Sequence, residues 1–458
     1  MKKFVCMLAF ALTLSANSIT TDNLSLDEAL DILKSQNLEI QAAKFDVKAA
    51  KEDEKATTGM NWGKLDFVQD VAQSNDAGNV FGFKLTSREA NFNDFGFDEF
   101  LAQMGGLPGN APQLLATQPQ NLNYPDSRTF FQSKIKYEVP LFTGFALSSY
   151  SEIMAAMTKM KGLEKEKVVN EKIYQLRKSY YDMALLETSI HNLQKILNNI
   201  NTLETMTKTM IDVGYAKHID LLEVKAKKGN VERLLAQMKS NKELLYHYIS
   251  FLLNQKVTSI TLPQSEIAMP QVSDEDVIAN NLDIKRATTG LVIRNNMLKA
   301  KEASYYPVVG AFAELATADD SFLGDAVDHK AYTVGARLTW NLFNGGIDSA
   351  KIQKAKIDKL KTSSQVELAK KGIVLQLAKI RTEIKSVDEE IASLEKELEL
   401  ANAIYKNYEG RYKEKLVSMS DVIIKQSAQI EKILQLQMAK NKRNEKIFAL
   451  EKLANGER

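Results

Sequence analysis

The chain has 458 residues, with 60 Lys and Arg against 58 Asp and Glu, eight prolines and one cysteine. A near-neutral balance gives no support to nucleic-acid binding, and a lone cysteine excludes an internal disulfide framework. At this length two to four ordinary domains would be usual, so internal repetition has to be sought before any fold is assigned.

Residues 1–18 read as a secretory signal: Lys2 and Lys3, an apolar run over 4–14, then small residues at Ala16 and Ser18. The run is too short to span a bilayer. Cys6 lies inside it, so the mature chain is expected to carry no cysteine and no lipid anchor through one. A helix is predicted over 26–36, with Ser25 and Glu28 spaced as a capping box. A second runs over 38–60, until Gly59 and Gly63 break it. From Lys64 the period becomes two: Leu65, Phe67 and Val71 on one face, Lys64, Asp66 and Asp70 on the other. This is a strand over 64–71 with one apolar side.

Residues 73–127 hold four of the eight prolines and six phenylalanines. They read as a long inserted loop, with a short helix near 98–104, that packs on something rather than floating free. A second strand is predicted over 128–139, where Phe131, Ile135, Tyr137 and Val139 alternate with Gln132, Lys134, Lys136 and Glu138. A helix of about 70 residues follows over 144–213, on the order of 100 Å long. A turn at 214–218 leads to a returning helix over 219–253. The second half repeats the plan: helix over 277–306 interrupted near Asn280, strands at 309–315 and 332–342 around a polar loop at 319–328, a long helix over 345–415, and a last helix over 420–454. No stretch after the signal offers 18 consecutive apolar residues.

The long helices carry the same seam. Ile373, Leu377, Ile380, Ile384, Val387, Ile391, Leu394, Leu398, Ala401 and Tyr405 step by 4 and 3, the 3.5-residue period of a left-handed coiled coil. Leu176, Met183, Leu186, Ile190, Leu193, Leu197 and Ile200 fall on that register 201 residues earlier. Pro140–Gly144 matches Asn341–Gly345, and Asp220 matches Asp421, at the same offset; Asn37–Ile40 matches Asn281–Ile284 at 244. The difference of about 43 residues is the inserted loop. The expected division is a signal peptide at 1–18 and two repeats, 19–262 and 263–458. Four amphipathic strands are too few to close a barrel alone. Two hairpins per chain therefore imply an oligomer that closes one jointly, or else an ordinary antiparallel sheet packed on a helical domain.

These features resemble the TolC-like outer-membrane efflux proteins. The resemblance rests on the duplicated helix–strand–strand–helix order, on Val139-Pro140-Leu141-Phe142-Thr143-Gly144, on Leu342-Phe343-Asn344-Gly345-Gly346, and on the turns Val213-Gly214-Tyr215 and Ser420-Asp421-Val422. It implies an α+β fold: duplicated long coiled-coil helices forming a periplasmic α-barrel, and four strands per chain contributing to a trimeric transmembrane β-barrel. It implies a homotrimer in the outer membrane of a Gram-negative bacterium, in contact with outer-membrane lipid. The partners would be a periplasmic adaptor protein and an inner-membrane transporter, and the cargo small molecules such as drugs, toxic compounds or metals, or proteins. It makes Val213, Gly214, Tyr215, Lys415 and Leu416 the adaptor-docking tips. It makes Asp421, Asp220 and Tyr412 the periplasmic gate, with Asp421 in an acidic ring and Asp220 linked to Tyr412. Ile424 and Val417 depart from the family's best-known member, which has an acid and an arginine there. Asp421 also reads simply as an acid at a helix start.

No enzyme, cofactor or metal site is expected. The four histidines lack ligand spacing, no phosphate loop is present, and Met154, Met157 and Met160 read as packing more readily than as a soft-metal path. The rival to a duct is a periplasmic coiled-coil structural or adhesin protein with no conduit.

Overall fold

The computed structural model describes residues 22–104, 115–263 and 267–455; the signal peptide expected at 1–18 lies outside them. The chain divides into two compact units, one of residues 1–49, 159–290 and 362–458, the other of 50–158 and 291–361.

The helical unit is a bundle built twice. Helix α1 (Leu26–Gln36) begins with the expected capping box, Ser25 and Glu28 each taking the other's backbone N–H. Helix α2 (Leu38–Gly59) follows. The long helix α6 (Ala146–Asp212) and its return α7 (His218–Leu253) are matched by α10 (Ile347–Lys413) and α11 (Met419–Leu453). The seam is buried as its period requires: Leu176, Met183, Leu193 and Ile200 in α6, Ile373, Leu377, Ile384 and Val387 in α10. The matched asparagines explain themselves here. Asn37 Nδ2 donates to the Leu252 carbonyl at 2.8 Å while its Oδ1 accepts from Ile40 N. Asn281, between α8 (Asp274–Asn280) and α9 (Leu282–Glu302), does the same with Leu453 and Ile284. Each caps a helix start and satisfies the end of a returning helix, whose last carbonyls have no partner of their own.

The other unit carries a four-stranded antiparallel sheet in the order β1-β2-β3-β4: Lys64–Ser74, Arg128–Phe142, Val308–Asp319 and Lys330–Thr339. Strand β4 stops at Thr339 rather than reaching residue 342. Its partner β3 begins just after Pro307, so residues 340–342 have nothing to pair with. Strand β1 runs past residue 71 because β2 continues opposite it to Arg128.

The inserted segment is more helical than a loop. Helices α3 (Ala77–Thr86), α4 (Phe97–Met104) and α5 (Gln120–Asn123) occupy it, α3 capped by the Asp76 side chain on Asn79 N at 3.0 Å. Its phenylalanines pack as expected: Phe83 stacks on Phe130 of β2 at 4.2 Å and Phe81 meets Phe95 edge-on at 4.9 Å.

Candidate functional site

Two places are candidates for function: the faces of the sheet and the turns between paired helices. Cross-strand register aligns Phe67 with Ile135, Ile135 with Leu315, and Leu315 with Tyr332. The next row runs Leu65, Tyr137, Ala313, Val334. Leu65, Phe67, Ile135, Leu315, Tyr332, Val334 and Leu338 are all exposed. The opposite face is ionic, with Lys64 on Asp66 at 3.0 Å and Glu138 at 3.4 Å, Lys134 on Asp70 at 3.1 Å, and Lys136 on Glu314 at 3.3 Å. Such a sheet suits an apolar medium on one side and water on the other. Among the described residues no helix is long and apolar enough to cross a membrane.

The two turns have one geometry. Gly214 (φ +80°) and Lys415 (φ +64°), 201 residues apart, both take the left-handed conformation that ends a helix. Tyr215 N donates to the Met210 carbonyl at 2.8 Å, and Leu416 N to Arg411 at 2.9 Å. The next helix starts alike too. Asp220 accepts from Lys217 N at 2.8 Å, and Asp421 from Ser418 N at 3.1 Å. Ser418 Oγ also donates to Asp421 at 2.6 Å. That hydroxyl first, then the Ser418 N–H, holds the Asp421 carboxyl below its ordinary range. Within the chain Asp421 is thus a helix-start acid. Val213, Tyr215 and Leu416 are exposed, and Lys415 Nζ stands 3.4 Å over the Tyr215 ring, joining the two turns.

Behind the turns Tyr412 is buried, but within the chain its hydroxyl does not meet Asp220. It lies 3.3 Å from Thr207 Oγ1, which donates to the Leu203 carbonyl at 2.8 Å. Burial pushes the Tyr412 hydroxyl up, the Thr207 bond opposes this, and the Asp220 charge adds to it. A second buried polar contact, Gln426 Nε2 to Tyr405 Oη at 3.4 Å, lies in the same cluster. Thr207 and Gln426 were not among the sequence candidates. Their signal was a polar residue at a seam position: Thr207 between Leu203 and Met210, Gln426 after Met419 and Val422.

Long paired helices joined to a sheet that is apolar on one face and ionic on the other define the outer-membrane channel fold. Residues 275–456 match the family described as Outer membrane efflux protein. No curated protein matches by sequence. Solved structures match over nearly the whole chain. CusC, described for transmembrane channel formation, has 13% identity, covers 96% of this chain and 94% of its own, and gives a TM-score of 0.78. The Campylobacter jejuni CmeC outer membrane channel has 12%, 96%, 90% and 0.75. The open state of the Neisseria gonorrhoeae MtrE outer membrane channel has 13%, 96%, 93% and 0.74. The resemblance to TolC-like proteins therefore holds: the chain has the fold of the outer-membrane efflux channels, and its second half carries that family's sequence pattern. The family is one of conduits, not enzymes.

Proposed function

We propose that the chain is one third of a homotrimeric outer-membrane duct. It would carry small molecules or proteins outward from a periplasmic adaptor and an inner-membrane pump. The observation that supports this most is the sheet: an exposed apolar face, an ionic reverse, and unpaired edges at β1 and β4. Unpaired backbone is untenable in hydrocarbon. Three copies pairing β4 to the next β1 would close twelve strands, with apolar rows to lipid and ionic rows to the lumen. The division into residues 1–18, 19–262 and 263–458 belongs to this reading, with the helices as a periplasmic tunnel.

In the same reading Val213, Gly214, Tyr215, Lys415 and Leu416 meet the adaptor. Asp421 forms a three-fold acidic ring, and Tyr412, with Asp220 close by, holds the gate at rest. Membrane fractionation followed by gel analysis of unheated and heated protein tests the duct. A heat-modifiable trimer in the outer-membrane fraction is expected. Recovery of a soluble protein in the absence of detergent would instead establish the coiled-coil spacer.

A further inference from the structure

Strand β1 ends at Ser74, β2 begins at Arg128, β3 ends at Asp319 and β4 begins at Lys330. The 75–127 insertion and the 320–329 turn therefore leave the same end of the sheet. There Glu89, just past α3, meets Asp319 and His329, and one candidate donor atom from each lies within 4.8 Å of the others. We propose that these three side chains bind one divalent cation of the zinc class, and so tie the insertion to the β3–β4 turn.

The His329 imidazole carries the argument. Its Nδ1 is shut off from solvent and has no hydrogen-bond partner, and it lies 3.6 Å from Asp319 Oδ2. A shielded nitrogen left so is costly and rare; a metal ion on its lone pair removes the cost. The carboxylates are already held in place. Asp319 Oδ1 accepts from Asp320 N at 2.7 Å and Oδ2 from Asp325 N at 2.6 Å. The turn closes so tightly over Oδ2 that a Cβ at Gly324 would collide with it. Glu89 Oε2 accepts from Ser87 Oγ at 2.6 Å and pairs with the Arg128 guanidinium, which leaves Oε1 for a ligand. Two carboxylates, Glu89 and Asp319, face one guanidinium there. Such outer-shell bonds orient ligating carboxylates.

The donor set selects the ion. One imidazole nitrogen and two carboxylate oxygens suit zinc, with water completing the shell. Calcium and magnesium take oxygen ligands, and no thiolate is present for a soft ion. Metal–ligand bonds of about 2.0–2.2 Å require the donors to draw in by on the order of 1 Å, a movement that side chains on a turn can make.

The test uses the full-length protein in detergent, stripped by a chelator and titrated with cobalt(II) as the spectroscopic probe. One cobalt per chain, displaced by zinc, is expected. His329→Ala should weaken binding by more than the roughly tenfold to hundredfold that loss of an outer-shell partner costs, and Glu89→Gln should weaken it too. His218→Ala should change nothing. A second measurement needs no variant: zinc should protect His329, and not the exposed His218, from diethyl pyrocarbonate, read by peptide mass spectrometry. Absence of cobalt binding, binding undiminished in His329→Ala, or equal modification of His329 with and without zinc overturns the proposal.

Discussion

Phe67→Arg is the sharpest test of the barrel. Phe67 lies in the middle of β1, 63% exposed, in a row that continues through Ile135, Leu315 and Tyr332. On its own strand its same-face neighbours are Leu65 and Gln69, so an arginine there gains no carboxylate from them. If the row faces lipid, the charge costs about 2–4 kcal/mol per chain near the midplane. Over three chains that is roughly 6–12 kcal/mol, at least four powers of ten in the assembly equilibrium, since ~1.4 kcal/mol is tenfold. Leu338→Arg, in β4, should behave alike. Gln132→Arg serves as the control: it lies on the ionic face, opposite Asp70. The assay is the heat-modifiable trimer band in the outer-membrane fraction. Wild-type trimer from both Phe67→Arg and Leu338→Arg, or equal loss from Gln132→Arg, refutes the assignment of faces.

Further outcomes concern the helical unit. Gly214→Val forces a branched side chain into a left-handed conformation at about 1–2 kcal/mol; it should abolish export while trimer level stays unchanged, measured as cell-associated against released cargo. Tyr412→Phe removes a buried hydroxyl contact worth about 0.5–1.5 kcal/mol and should raise resting single-channel conductance, with Thr207→Val doing the same. Asp421→Asn should reduce cation selectivity and block by multivalent cations in a planar bilayer, leaving resting conductance nearly as before. The Asp421 carboxyl is depressed in the folded chain, so its charge persists below the ordinary carboxylate range and is lost only as pH falls through that lowered value. Multivalent block should follow, and Ser418→Ala should move its loss to higher pH.

How much of this was legible depended on the distance over which each signal acts. The capping box at Ser25 and Glu28, the heptad seam and the strand alternation are local, and they appear where their spacing put them. The Asn37 and Asn281 match was visible as repetition, but its cause, a bond to a carbonyl more than 170 residues on, was not. The prolines and phenylalanines of the insertion break any helical period and so predict a loop, yet Asp76 caps a helix inside it. The resemblance links Tyr412 to Asp220; the contact its hydroxyl makes within the chain, to Thr207, is signalled instead by a polar interruption of the seam. Glu89, Asp319 and His329 share no local pattern at all. The β3–β4 pairing sets His329 beside Asp319, and the β2–β3 pairing brings that turn to the insertion that carries Glu89.

The turns show why two repeats need not be equal. The first places glycine in the left-handed position at no cost; the second places Lys415 there, at about 1–2 kcal/mol. The Lys415 ammonium stands over Tyr215 of the other turn, a contact worth about 0.5–1 kcal/mol at an exposed site, so strain in one turn is partly offset by a ring in the other. The cost sustains a connection that two glycine turns would lack. Behind it the seam turns polar twice, at Thr207–Tyr412 and at Gln426–Tyr405, with Gln426 Oε1 left without a partner. Polar residues in such a seam specify register at the expense of stability. The helix ends are thus joined at the tip and aligned behind it, yet held less tightly than an all-apolar seam would hold them. Under the channel reading, an opening movement should begin in those polar layers, with the joined turns moving together.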